Sequence, residues 1–202
     1  MSKQSIMLNS TLRTTRSLPQ LPTELWLQIV ENISDPSYIW TTLRRSSPDF
    51  ESYVDKVFLS TYLPKVSASA SLPRRDPSTN ALRHQHDAPE ITFQFSDITS
   101  NTSYLTLATS TVAKTGASIK HLKTTGVLSQ QRLEEAVMWV SIGCSRAQAT
   151  PMDIVKNIEW NEIEGIWVWN VEWTEFVDRY FDIKTAKREE LERRKKPTVR
   201  RK

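Results

Sequence analysis

Residues 21–58 read LPTELWLQIVENISDPSYIWTTLRRSSPDFESYVDKVF. Three prolines, Pro22, Pro36 and Pro48, each stand where a short amphipathic helix begins. Proline suits the first helical turn because its missing N–H would be unpaired there in any case. Asp35 and Ser47 precede two of the prolines and bring side-chain oxygens that cap free N–H groups. The first helix carries Leu25, Ile29 and Ile33 at steps of four, with Trp26 and Val30 beside them. The second carries Ile39, Trp40 and Leu43, and the third Phe50, Tyr53, Val54, Val57 and Phe58. These are apolar stripes of helical period. Helices this short bury little surface among themselves, so a block of this size is expected to complete its core against a partner.

The same residues carry a resemblance. Leu21-Pro22-Thr23-Glu24-Leu25, then Ile29, Ile33, the Asp35-Pro36 turn, Leu43 and an aromatic at Phe50 resemble an F-box. Residues 38–45 are similar to the second helix of F-box proteins abundant in fungi. The order Leu72-Pro73-Arg74-Arg75-Asp76-Pro77, with Ala81-Leu82 after it, is similar to the segment just beyond the helices in that group. The match to the helices covers roughly forty residues, about a fifth of the chain. F-box proteins are substrate receptors of SCF ubiquitin ligases, and their F-box binds the adaptor subunit that hangs from the cullin. The resemblance therefore implies a non-enzymatic adaptor that presents a target protein for ubiquitination, in the cytoplasm, the nucleus or both. It implies the SCF adaptor subunit, and through it the cullin, as partners, together with an unidentified protein substrate. It needs no catalytic residue and no cofactor, because other subunits transfer the ubiquitin. The docking residues it implies are Leu21, Pro22, Glu24, Leu25, Ile29, Ile33, Ile39 and Leu43. Two positions depart from the pattern: Ser46 stands where a small apolar residue is usual, and Pro48 where a basic one is. Ser46 is expected either as a buried hydroxyl bonded back to the chain or as a weaker edge of the docking face. The other reading of the block is a plain helical subdomain packed on the rest of the protein, with Trp26 and Trp40 in its core.

The chain has 202 residues, 38% of them apolar, and four glycines. That bounds it to one ordinary domain plus a small module, with a modest core. It holds no apolar run of the ~18 residues a membrane span needs. Residues 1–20 lack an apolar stretch and read as a disordered arm rather than a secretory signal. A single cysteine, Cys144, cannot close an internal disulfide, which fits a reducing compartment. The net charge of +4 misleads: residues 184–202 hold ten basic and three acidic side chains, leaving seventeen basic and twenty acidic elsewhere. The body is mildly acidic, whereas a nucleic-acid binder spreads basic charge over a folded face. The rival function is a nucleic-acid-associated protein that uses this C-terminal tail; its clusters at Lys187-Arg188, at 193–196 and at 200–202 read as nuclear-import signals or as phosphate-contacting segments. A solvated helix end accounts for the same charges.

Beyond the helices, residues 66–72 alternate small and polar residues, as a weak strand or a linker. Residues 73–80 read as a turn-rich loop. Ile91, Phe93 and Phe95 alternate as a half-buried strand should, and so do residues 104–112, with Leu105 and Leu107 on one face. Residues 97–103 read as a loop. Ser129 caps an expected helix over 130–141, with Leu133, Ala136, Val137 and Val140 on one side. Thr150-Pro151 is expected to begin a helical turn. Residues 158–160 and 166–171 flank Asn161-Glu162-Ile163-Glu164-Gly165, a hairpin signal with glycine where positive φ is needed. From about residue 174 a helix presents Phe176, Val177, Tyr180 and Phe181, then continues or restarts as a charged helix that Pro197 ends. The expected fold class is α+β. A three-helix F-box module spans 21–62 and a linker or weak hairpin 63–90. A small mixed α+β domain with an antiparallel hairpin spans 91–183, and a basic helical tail 184–202.

Trp160, Trp167, Trp169 and Trp173 crowd one segment. Trp167 and Trp169 are either core residues packed on the helix around Phe176 and Tyr180, or anchors that bind a target peptide. His84, His86 and Asp87 resemble a fragment of a metal site but lack two further placed ligands, and His121 and Cys144 are too distant in sequence to supply them; no metal is expected. Repeats of the leucine-rich, WD or kelch kind are absent from the sequence, so the target is not legible.

Overall fold

The computed structural model describes residues 21–72, 90–98, 103–143, 149–154 and 156–195. The arm at 1–20, the loop at 73–80, His84, His86, Asp87, Cys144 and the chain from 196 onwards, with Pro197, lie outside the described residues.

The first helix, α1 (Thr23–Glu31), begins at Pro22, whose carbonyl accepts from Leu25 N and Trp26 N. Helix α2 (Pro36–Tyr38) is capped by Asp35, which accepts from Ser37 N and Tyr38 N, and runs on as a π-helical turn, Ile39–Leu43. Helix α3 (Pro48–Val57) is capped by Ser47 through Phe50 N and runs on through Phe58–Tyr62 and Leu63–Lys65. Both caps were legible in the sequence and satisfy N–H groups that a helix start leaves open. Ser46 does bond back to the chain, Oγ donating to Leu43 O at 2.7 Å, but it lies at the surface rather than buried.

Among the described residues seven strands follow: β1 (Val66–Ser71), β2 (Glu90–Ile98), β3 (Tyr104–Thr109), β4 (Met138–Ile142), β5 (Thr150–Met152), β6 (Asn157–Asn161) and β7 (Ile166–Glu172). They form one antiparallel sheet in the order β5-β4-β1-β2-β3-β7-β6. The fold is mixed α+β. Of the two readings of residues 66–72, the strand is the one formed, and it lies inside the sheet. Its period of two turns Val66, Ala68 and Ala70 to the core. The alanines leave room for large neighbours: Ala68 sits between Phe93 and Val140, and Ala70 between Ile91 and Met138.

Three sequence expectations are corrected. The helix expected over 130–141 stops early: α5 covers Gln130–Glu135, and residues from Met138 onwards are β4. Ala136 is already extended, at φ −71° and ψ 141°. Pairing with β1 then buries Met138, Val140 and Ile142 by alternation, a tertiary contact that overrides local propensity. Thr150-Pro151 does not start a helical turn but lies in β5 at the edge of the sheet, where proline costs no ladder hydrogen bond. Residues 97 and 98, expected in a loop, belong to β2, which runs to Ile98 past an irregularity between Phe95 and Asp97. Helix α4 (Ile119–Thr124) occupies a stretch whose sequence gave no signal.

The β6–β7 hairpin forms as expected. Asn161 Oδ1 accepts from Ile163 N and Glu164 N, and Gly165 supplies φ 67°. Helix α6 (Trp173–Lys195) is continuous, so the charged tail continues the apolar helix rather than restarting. Glu172 caps it through Thr174 N and Glu175 N.

The N-terminal helices share their core with the sheet and α6. Trp40 is 1% exposed. Its ring lies 4.6 Å from Phe58 and 5.7 Å edge-on from Trp173, between centroids. Its indole N–H donates to Asp178 Oδ1 of α6 at 2.7 Å. Phe58 meets Phe181 edge-on at 6.2 Å. The small block therefore completes its core largely inside the chain.

Candidate docking face

Helix α1 has two sides. Towards the protein, Val30 is fully buried, and Trp26 packs edge-on to Phe50 at 5.3 Å and stacks on Tyr53 at 6.4 Å. Away from it, Leu21 is 39%, Leu25 44% and Ile29 45% exposed. Leu25 and Ile29, one turn apart on α1, form one exposed ridge, and the exposed Leu21 stands just before the helix begins. Pro22 and Glu24 are exposed beside it, Glu24 in the first turn, where its charge suits the helix dipole. Single exposed apolar side chains need no explanation, whereas neighbouring ones on one face form a candidate interaction surface. Covering the three is worth on the order of 3–5 kcal/mol.

The other expected docking residues lie elsewhere. Ile39 is fully buried in the shared core and cannot touch a partner. The sequence placed it on a docking face because an amphipathic stripe does not say whether its own chain or another covers it. Ile33 and Leu43 are half-buried and packed against the core. The exposed part of the expected set is thus Leu21, Pro22, Glu24, Leu25 and Ile29.

The helix on which α1 packs is itself held by a charged network. The Arg44 guanidinium lies 4.4 Å over the Trp40 ring, donates to Asp55 Oδ1 at 2.8 Å and pairs with Glu51 at 3.0 Å. Burial works against its charge, but the hydrogen bond and field of Asp55, with Glu51 and Asp178, raise its pKa above the ordinary value. Arg44 thereby ties α2 to α3, against which α1 packs.

Trp167 and Trp169 are 2% and 0% exposed, so neither offers a face to a target. Trp169 meets Phe176 of α6 edge-on at 5.8 Å, as a core residue should. Trp167 packs instead on Trp160 at 5.2 Å. Their neighbours Ile166 and Val168, on the other side of the strand, are buried and half-buried. The residues that sequence reasoning missed are the exposed Val137, just before β4, and Trp139 on it, hidden by the helical reading, and Ile163, 97% exposed at the hairpin tip.

Among the described residues no group of three or more His, Cys, Asp or Glu side chains is placed to hold a metal ion. No described helix is long and apolar enough to cross a membrane. The chain matches no family model, no curated protein and no solved structure.

Proposed function

We propose that this chain is an F-box adaptor: the α1 ridge docks on the SCF adaptor subunit, and the rest of the chain presents a target protein for ubiquitination. The observation that carries the reading is the exposed pair Leu25 and Ile29 on a helix whose opposite side is packed, with the exposed Leu21 just before it. It coincides with the residues on which the sequence resemblance rests most heavily. The adaptor would lay an apolar surface along the ridge, with Pro22 and Glu24 at its rim. No catalytic group is required of this chain, since the ligase's other subunits carry out the transfer. The sheet and α6 would hold the ridge at a fixed attitude to any bound target, because Trp40 and Phe58 tie the helices to α6.

The test is purification of the tagged full-length protein from cells, with mass spectrometry for the adaptor subunit and the cullin. Both should co-purify with the unaltered chain and fall away in the Leu21→Ala, Pro22→Ala form. Recovery of neither with the unaltered chain, or of both equally with the two forms, would refute the reading.

A further inference from the structure

The C-terminal half of α6 is a charged helix whose charges are not evenly satisfied. Its acidic side chains are used within the helix: Glu189 pairs with Arg193, Glu190 with Arg194 and Glu192 with Lys195. Lys187 and Arg188 make no ion pair among the described residues, and Lys184 lies 5.6 Å over the Tyr180 ring. Lys184, Lys187, Arg188, Leu191 and Lys195 recur at steps of three and four, so they share one side of the helix. That side faces the edge of the sheet. Together with Ala149 and Thr150, at the start of β5, and with Glu192, whose carboxylate is held by Lys195, these residues line a groove of about 350 Å³, four cations against one acid. Leu191 is half exposed along it. Over Lys184 to Lys195 the helix rises about 16 Å, the length of about five residues of extended chain.

We infer that this groove binds an extended acidic peptide segment that carries an apolar residue for Leu191. The charge argues for an anionic partner, and the leucine among the cations argues for a peptide. A single nucleic-acid strand would want aromatic platforms for its bases, and none lines the groove. The inference goes beyond the adaptor reading and does not rest on it, because the groove lies on α6 and β5 and the ridge on α1.

The test uses the full-length protein and a fluorescein-labelled nonapeptide of Glu and Asp with one central Leu, monitored by anisotropy. The peptide should bind, more weakly as salt rises, and a peptide of the same length with Lys in place of the acids should not. K187E combined with R188E should weaken binding at least tenfold with an unchanged thermal melt, since both side chains are exposed. If that variant does not fold, Leu191→Ser serves: it should weaken the Leu peptide and leave a peptide with Ser at that position unaffected. Equal affinity of the variants and the unaltered chain for the Leu peptide would overturn the inference. So would tighter binding of a fifteen-nucleotide oligo-uridine strand, lost in the same double variant, which would assign the groove to nucleic acid.

Discussion

Replacing Trp40 by Phe tests the claim that the helices carrying the ridge and the sheet form one cooperative unit. The substitution keeps an aromatic ring against Phe58 and Trp173 but removes the indole N–H that reaches Asp178 Oδ1 at 2.7 Å. A hydrogen bond to a charged acceptor contributes about 1.5–3 kcal/mol. Asp178 is half-exposed, so water recovers part of that. The lower end applies, to which the smaller ring adds about 1 kcal/mol of lost packing. The expected loss is therefore about 2.5 kcal/mol. With a urea slope of about 2 kcal/mol/M, the midpoint should fall by about 1 M. Far-ultraviolet circular dichroism and tryptophan fluorescence should move together in a single transition, because the contact joins elements 138 residues apart in sequence. An unchanged midpoint, or an early separate transition in the helical signal alone, would refute the shared core.

Trp167→Ala truncates a buried aromatic and should cost about 3–5 kcal/mol, lowering the melting temperature by about 10 °C; an unchanged melt would overturn its core assignment. Ser47→Ala removes the cap on Phe50 N and should cost about 1 kcal/mol in urea unfolding, with the Ser47→Asp form close to the unaltered chain. Lys156 is buried, with Nζ donating to Glu134 O at 2.6 Å, and burial lowers its pKa below the ordinary 10.5, against the opposing pull of Asp153 and Glu134. A lysine whose folded pKa is lowered binds fewer protons folded than unfolded in the interval between the two values. Its contribution to stability therefore rises as pH climbs through the folded pKa towards 10.5. Stability measured against that of Lys156→Met should rise over that alkaline interval, and a flat difference would contradict the sign.

The parts of the fold that were legible in the sequence are those that local chemistry dictates. Prolines and capping side chains marked α2 and α3, and Asn161 with Gly165 marked the hairpin. What was not legible depends on partners distant in the chain. Leu133, Ala136, Val137 and Val140 fit a helix by spacing, and only the approach of β1 makes residues 138–142 a strand. Residues 66–72 carry too little apolar surface to declare themselves, because their alanines are cut to fit Phe93 and Ile91. The candidate site divides in the same way. Leu25, Ile29 and Ile33 were readable as a stripe, of which Leu25 and Ile29 are open and Ile33 is packed on the core, whereas Ile39 joins the core where α6 meets the turn after α2. Trp167 and Trp169 gave a choice between core and binding face, and the covering of both sides of β7 decides for the core.

The most direct measurement of the central claim is calorimetric titration of the purified SCF adaptor subunit into the full-length protein and into its Leu25→Glu, Ile29→Glu form. Both side chains are about half exposed, so the variant should fold and melt as the unaltered chain does. A carboxylate at either place would be desolvated under a docked partner, at a cost of several kcal/mol. The account predicts a one-to-one complex with the unaltered chain and no measurable heat with the variant. Binding of the same strength to both, or to neither, would contradict it.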